Sequence, residues 1–422
     1  MKPLAFLSNP YHRGGITRWM VDLAEEWRRR DEQCWFVTPR PRRPFVNGRG
    51  RPSMVELLEG VPASARPTMV NPAAGDEFEF GTERYRASVY ARAILQRVPS
   101  GVPIVVSDDP AAWKACGWLA TRNPFIGVHH SDDDQYDLLV RRHGPQLAAL
   151  VCVSRRIQER ALALGAELTA PVVTIPCGVP LAPVSLDEGL EEAGRLRIIW
   201  VGRMDEHQKR ASDLPKIADR LRALGIAFRM ELIGNGPELT RVEQAIRQLE
   251  LGEQVRCTGW LPSSEVLRRM RQADVLLLPS NFEGMPVVVM EALSSGCAIV
   301  ASRVSGIEDY EDHALAEKCF WTHAVGDVDG AAECVARATR VERSDRRRRA
   351  RALAEREFSI SVCADRYATA LGQLAPRVSP SRAGQSPRPA LVGLVSHPIA
   401  ASRLIRLWAR GRLRREPQLS IA

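Results

Sequence analysis

Residues 273–302 read ADVLLLPSNFEGMPVVVMEALSSGCAIVAS, and the placing of the apolar residues in this stretch decides the fold class. The run VLLL at 275–278 is short, continuous and bounded by Asp274 and Pro279, as expected for a strand buried on both faces. Asn281–Met285 then forms a loop, and Pro286 suits the first turn of a helix that continues to about Ser295. A second apolar run, AIVA at 298–301, follows Gly296. Strand, helix and strand in so short a span describe a βαβ unit, which requires a parallel sheet.

The same alternation runs outward over the first 320 residues. In the first half the predicted strands are Leu4–Ser8, Trp35–Thr38, Ile104–Ser107, Phe125–His129, Ala149–Val153 and Val172–Ile175. The pattern pauses in PCGVPLAPVSLDEGLEEAGR (176–195) and resumes with Arg197–Val201, Arg229–Ile233, Val255–Thr258, Val275–Pro279 and Ala298–Ala301. Two α/β domains in tandem follow, residues 1–180 and 181–375, with a tail at 376–422. The second domain ends in helices near Gly330–Arg343, Asp345–Glu357 and Ser361–Leu374. The Pro-, Gly- and Arg-rich stretch Pro39–Gly81 reads as loops, and the arginines of DRRRRARALAERE (345–357) read as a solvated helix face.

Composition narrows the class further. With 422 residues, 45% of them hydrophobic and 26% charged, the chain is neither fibrous nor wholly disordered. No apolar stretch approaches the roughly 20 residues of a membrane span, and the first apolar run is too short for a secretory signal, so the cytoplasm is the expected location. The nine cysteines include no C-x-x-C pair and read as reduced core thiols. The net charge of +9 is concentrated at one end: residues 376–422 hold nine Arg and one Glu, a charge of +8, which leaves +1 for the rest. If residues 399–415 are helical, Arg403, Arg406, Arg410 and Arg414 share one side and Leu404, Ile405 and Trp408 another, as on an anionic membrane surface. A nucleic-acid partner is not expected, because the body lacks an interleaved aromatic and basic pattern.

In parallel sheets ligands bind beyond the carboxyl ends of the strands, so the loops there carry the candidate chemistry. NPYHRGG (9–15) opens the helix Ile16–Arg29; its paired glycines allow close backbone approach to an anion, or simply make a tight turn. IIWVGRMDEHQKR (198–210) sends Arg203 and Lys209 from a loop past a strand, where two cations can clamp a diphosphate. Glu283 precedes a helix and can accept sugar hydroxyls, whereas Glu291 lies within it and can accept those of a ribose. In GVHHSDDDQYD (127–137) the residues His129, His130, Asp132, Asp133 and Asp134 are of metal-ligand type. Neighbours on a strand point apart, so no metal site is expected there.

The string EGMPVVVMEALSSG (283–296) resembles the Glu-x7-Glu motif of the retaining glycosyltransferases with the GT-B fold, the family 4 or group 1 enzymes. Further similarities stand in the family's order: GGI at 14–16, CVSRRIQERAL at 152–162, IPCGV at 175–179, VGRMDEHQK at 201–209, LIGNGPE at 232–238, TGWLPSSEV at 258–266 and VSG at 304–306. The resemblance implies two Rossmann-like, doubly wound domains facing a cleft, the first on the acceptor side and the second binding a nucleotide-sugar donor. It implies that Arg203 and Lys209 hold the donor diphosphate, that Glu283 contacts the donor sugar and that Glu291 contacts the ribose. Gly284, Met285 and Pro286 would line the sugar and phosphate site, with Gly15 approaching from the other domain and Trp260 and Leu261 meeting the base. Met285 stands where the family often has an aromatic residue. His130, or failing that His129, would lie near donor sugar and acceptor. The expected reaction is transfer of a sugar to a glycan, lipid-linked or small-molecule acceptor, with no cofactor and no metal, in the making of a cell-surface polysaccharide or glycolipid. A sugar-nucleotide epimerase or a phosphorylase of the same fold is the alternative, and nucleic-acid binding through the tail a remoter one.

Overall fold

A computed structural model describes residues 2–10, 14–39, 54–72, 78, 81–165, 168–181 and 195–374. The basic tail, with its segment 399–415, and the boundary residues 182–194 lie outside the described residues.

The two strand series build two wholly parallel sheets. The first contains β1 (Leu4–Leu7), β2 (Cys34–Val37), β3 (Thr68–Val70), β4 (Ile104–Val106), β5 (Phe125–His129), β6 (Ala149–Cys152) and β7 (Val172–Thr174), in the order β3-β2-β1-β4-β5-β6-β7. The second contains β8 (Leu196–Val201), β9 (Phe228–Ile233), β10 (Val255–Gly259), β11 (Val275–Leu278), β12 (Ala298–Ser302) and β13 (Phe320–His323), in the order β10-β9-β8-β11-β12-β13. Phe6 stands opposite both Phe36 and Val105, and Ile199 opposite Glu231 and Leu276. Strand order therefore reverses between β1 and β4 and again between β8 and β11. Such a switch point opens a crevice at the carboxyl ends of the two strands, the usual ligand site of a doubly wound sheet.

In the first domain the helices are α1 (Gly15–Arg29), α2 (Met54–Glu59), α3 (Glu83–Arg97), α4 (Pro110–Leu119), α5 (Asp134–His143) and α6 (Arg155–Ala163). The rest are α7 (Asp213–Ala223), α8 (Leu239–Gln248), α9 (Ser263–Gln272), α10 (Val287–Ser294), α11 (Val328–Thr339), α12 (Arg343–Leu353) and α13 (Ile360–Gly372). Helix α1 shows how the sequence seats them: Trp19, Met20, Leu23, Ala24 and Trp27 recur at helical spacing and are all buried. The indole of Trp27 donates to the carbonyl of Lys2 at 3.0 Å, so its one polar group is satisfied.

Three expectations are revised. The stretch 39–81 contains α2 and the edge strand β3, not loops alone. Strand β13 closes the far edge of the second sheet. The arginines of 345–357 are a solvated face only in part: Arg348 and Arg356 are exposed, but Arg346 and Arg347 are buried. Their donors serve the carbonyls that end other helices. Arg346 donates to Ala338 O at the end of α11, Arg347 to Arg271 O at the end of α9 (3.0 Å), and Arg351 to Ser294 O at the end of α10 (2.7 Å). A helix leaves its last carbonyls unpaired and partly negative, so buried guanidinium groups are well placed there. Asp274 takes a further donor from Arg343 at 2.7 Å. Burial holds the Arg346 and Arg347 guanidinium groups below their ordinary pKa, against the opposing pull of Asp274.

Helix α13 packs against α1 and so ends the chain's described part on the first domain. Ser359 caps it, donor and acceptor pairs between Val179 and residues 358 and 360 tie in its start, and Arg30 bonds Asp365 at 2.5 Å and the Ser361 hydroxyl at 2.7 Å. All nine cysteines are free thiols.

Candidate active site

Two loops of the second domain meet at its switch point, one after β8 and one after β11. Lys209 from the first donates to Glu283 Oε1 on the second at 2.5 Å, with side chains only 14% and 5% exposed. Gln208 Nε2 donates to the other carboxylate oxygen at 3.3 Å and to the Phe282 carbonyl at 3.4 Å. The loop carrying Lys209 is itself wound about Asp205, whose carboxylate accepts from the amides of Gln208 (2.7 Å) and Lys209 (3.3 Å) and from Arg203 Nε (2.8 Å). Burial favours the acid form of Asp205, but these bonds outweigh it and hold the carboxyl below its usual range. Arg203 is 64% exposed and is drawn to Asp205, not to Glu283. The structure therefore joins Lys209 and Glu283 directly and leaves Arg203 at the rim.

Pro286 stands at the N-cap of α10, one residue ahead of the first turn expected for it, and is buried together with Met285. Glu291 lies within α10 and is half-buried. Trp260 and Leu261, both half-buried, follow β10 at the same carboxyl edge, three strands away from β11.

The first domain closes over this edge. Gly284 forms an antiparallel bridge with Ser131, and a Cβ added to it would lie 1.7 Å from the carbonyl oxygen of His130. Only glycine permits that approach. Gly15, at the start of α1, faces Val287 at the start of α10; an added Cβ there would be 3.0 Å from the valine Cβ. His130 is enclosed by Trp19, edge-on with ring centres 4.9 Å apart, and by Cys177, whose Sγ is 3.7 Å from Nδ1. Burial pushes its pKa down to about 4, so the ring is neutral, and Nε2 has no partner within the protein. His129 points elsewhere: it stacks on Tyr136 and its Nε2 is 3.4 Å from Asp137.

The acidic run beside the histidines is engaged otherwise. Arg160 bonds Asp132 at 2.9 Å, Asp134 at 2.6 Å and Asp137 at 2.7 Å, while Asp133 caps α5. Among the described residues no three His, Cys, Asp or Glu are grouped to hold a metal ion. A second clasp between the domains was not read from the sequence. The hydroxyls of Ser154 and Ser305 are 2.7 Å apart, Asp309 accepts from the amide of Arg155 at 2.8 Å, and Arg156 pairs with Glu308 at 2.6 Å. Ser154 and Ser305 both fall inside quoted motifs, CVS and VSG, but partners 151 residues apart leave no trace in spacing.

The family described as Glycosyl transferases group 1 matches residues 186–355, and that described as Glycosyltransferase Family 4 matches residues 13–182. A putative colanic acid biosynthesis glycosyltransferase, WcaL of Escherichia coli, is 32% identical over 176 residues, 40% of this chain and 42% of the relative. The amylovoran biosynthesis glycosyltransferase AmsK of Erwinia amylovora is 30% identical over 233 residues, 51% of this chain and 55% of the relative. The chain thus spans about half the length of these curated relatives. The structure of Anabaena Alr3699/HepE in complex with UDP superposes with a TM-score of 0.66 at 17% identity, covering 89% of this chain and 100% of that one. With two doubly wound parallel sheets meeting at their carboxyl edges and each half matched by its own family, the chain belongs to the group 1 glycosyltransferases of GT-B fold.

Proposed function

We propose that the protein transfers a sugar from a nucleotide-sugar donor to an acceptor with retention at the anomeric carbon, as a step in polysaccharide or glycolipid synthesis. The observation that carries this reading is the Lys209–Glu283 pair at the switch point of the second sheet. A cation and a carboxylate side by side suit a substrate that brings a diphosphate and a polyhydroxyl group into one crevice. Lys209, with Arg203 swinging in from the rim, neutralises the departing diphosphate. Glu283, once Lys209 turns to phosphate, accepts sugar hydroxyls; Glu291 takes the ribose, and the backbone of Gly284, Met285 and Pro286 lines the pocket. Trp260 and Leu261 meet the base, and Gly15 closes on the phosphates. His130, neutral and with Nε2 unpartnered, offers a hydrogen bond to the sugar.

With two cations and a helix N-terminus for the diphosphate, this reading needs no cofactor and no metal. The leaving phosphate itself takes the acceptor's proton, so neither Glu283 nor His130 is a covalent nucleophile. The WcaL and AmsK names support a polysaccharide as the product. No described helix is long and apolar enough to cross a membrane, and contact with an anionic membrane face is assigned to residues 399–415, on the cytoplasmic side.

The test is a thermal-stability screen against uridine, guanosine, adenosine and cytidine diphosphate sugars, since a ligand at 100 times its Kd adds about 2.7 kcal/mol. Transfer is then followed by NMR of the anomeric proton. Absence of stabilisation by every donor removes the nucleotide-sugar reading, and an inverted product removes retention alone.

A further inference from the structure

Three consecutive residues on one loop grip three consecutive residues on the other. Gln208 reaches Phe282 O and Glu283, Lys209 reaches Glu283, and Arg210 Nη1 donates to Asn281 Oδ1 at 3.0 Å. Asn281 is held from the other side as well, since its amide donates to Gln208 O at 2.8 Å and its side chain to His207 O at 2.8 Å. Arg210 is the unusual member. Its φ is +47°, in the left-handed region that a residue with a Cβ enters only at a cost. Its side chain explains why it stays there: Nε donates to the buried Asp213 at 2.6 Å, at the start of α7, while Nη1 takes Asn281. Gly326 leaves room for the guanidinium, as a Cβ there would lie 3.1 Å from Nη2.

The left-handed residue turns the chain sharply between positions 209 and 211. Adjacent side chains can then grasp the β11 loop at two points, residue 283 by Lys209 and residue 281 by Arg210. We propose that Arg210 is a positioning residue: clamped between Asp213 and Asn281, it fixes the loop after β8 against the loop after β11 and so sets Lys209 beside Glu283 for the donor. It touches neither the diphosphate nor the sugar. The proposal rests on the donor site described above.

The experiment uses the full chain and four probes, UDP, GDP, ADP and CDP, each alone, with affinity measured by calorimetry. Amide hydrogen exchange over residues 279–286 is followed in parallel without ligand. Arg210→Gly keeps the left-handed backbone accessible and removes only the clamp, so any change belongs to the guanidinium. It is expected to weaken binding of the preferred diphosphate on the order of tenfold, the scale of one hydrogen bond to a charged group, and to speed exchange over 279–286. Asn281→Ala removes the same link together with the side-chain bond to His207 O, so it should weaken binding at least as much, and the double variant should be no worse than Asn281→Ala alone, because the shared link is already broken. Melting temperatures are recorded for each, and Asn281→Ala decides the matter if Arg210→Gly does not fold. Wild-type affinity and exchange in the folded single variants, or losses that add in the double variant, overturn the proposal. Lys209→Ala is the control for the underlying reading: if it binds as tightly as wild type, or if no diphosphate binds wild type, the donor site itself is wrong and the proposal falls with it.

Discussion

Replacing Gly284 by alanine separates domain closure from domain folding. The new Cβ would lie 1.7 Å from His130 O, 2.6 Å from His130 C and 3.2 Å from Ser131 Cα, all of them backbone atoms of the first domain. A Cβ is essentially never closer than 3.0 Å to such an atom, so the two backbones must part by at least about 1.3 Å, and the Ser131–Gly284 bridge is lost. Backbone cannot rotate aside as a side chain can, and the gap opens at the residue next to Glu283. A displacement of about 1 Å at a reacting site costs roughly 100-fold in rate, so kcat/KM for transfer should fall by about that factor. Each domain keeps its own core, and the melting temperature should fall by no more than about 2–4 °C, the shift expected for about 1 kcal/mol in a domain of roughly 150–250 residues. Gly234→Ala is the contrasting change. Its Cβ would lie 1.8 Å from Gly202 O, inside the second domain, at a φ of +146°. It should unfold that domain or lower its stability by several kcal/mol. Initial-rate kinetics, thermal unfolding and small-angle scattering measure the three quantities. A folded Gly284→Ala enzyme with wild-type kcat/KM would show that the working state does not use the Ser131–Gly284 contact.

Lys209→Ala should lower turnover by roughly two to three powers of ten, about 2.7–4 kcal/mol of barrier, whereas the rim residue Arg203, already exposed, should lose less on the same change; equal losses in steady-state assays would refute this ranking. Glu291→Ala should raise KM for the donor with little change in kcat, while Glu283→Ala should depress kcat as well, and matching profiles would contradict the division. His130 is neutral in the fold, with a pKa of about 4 against an ordinary 6.5. The unfolded chain therefore takes up a proton first, and stability present above about pH 6.5 is lost as pH falls towards 4. Denaturant titrations should show His130→Gln losing less stability than wild type over that window, by up to a few kcal/mol; parallel pH profiles would mean that His130 titrates normally.

Much of this was open to reading because burial on both faces leaves a plain mark. Runs such as VLLL at 275–278 and IIWV at 198–201 are continuous, and helices between them fix a parallel sheet. The two strands that escaped notice are edge strands. Residues 68–70 of β3 run from exposed to buried, and β13 carries Thr322 and His323 after its two aromatics. An edge strand has one neighbour and needs no apolar run to announce it. The arginines of α12 were misread for a related reason. A charged residue is recorded in sequence by its charge, while Arg346 and Arg347 are buried because the ends of other helices supply carbonyls, the nearer eight residues back and the farther 76. In the site, Lys209 and Glu283 could be singled out by type and place. Arg210 and Asn281 could not, since a backbone angle and a partner 71 residues away decide what they do.

The helix ends give an independent reason for placing an anion between the domains. Among described helices of eight or more residues, α3, α4, α5, α6, α11 and α13 have side-chain caps at their N-termini. Helices α7, α9 and α12 carry a carboxylate in the first turn, and α8 has Glu238 at its N-cap. Helices α1 and α10 have neither: Gly14 and Pro286 provide no side-chain cap, and no acidic residue occupies either first turn. These two are the helices whose starts abut, Gly15 against Val287. Each brings the equivalent of about half a positive charge to its N-terminus, with free amides, and the two ends repel at short range. Lys209 and Arg203 at the same edge are balanced by Glu283 and Asp205, so the positive ends of the two helices stand uncompensated. An edge so arranged costs free energy until a dianion enters it. The fold can bear that cost because both ends are anchored by apolar contacts elsewhere, α1 by Trp19 and Trp27 and α10 by Val289, Met290 and Leu293. A nucleoside diphosphate entering the crevice would then supply the acceptor oxygens or negative charge that the other described helices of this length take from a cap or a carboxylate of their own.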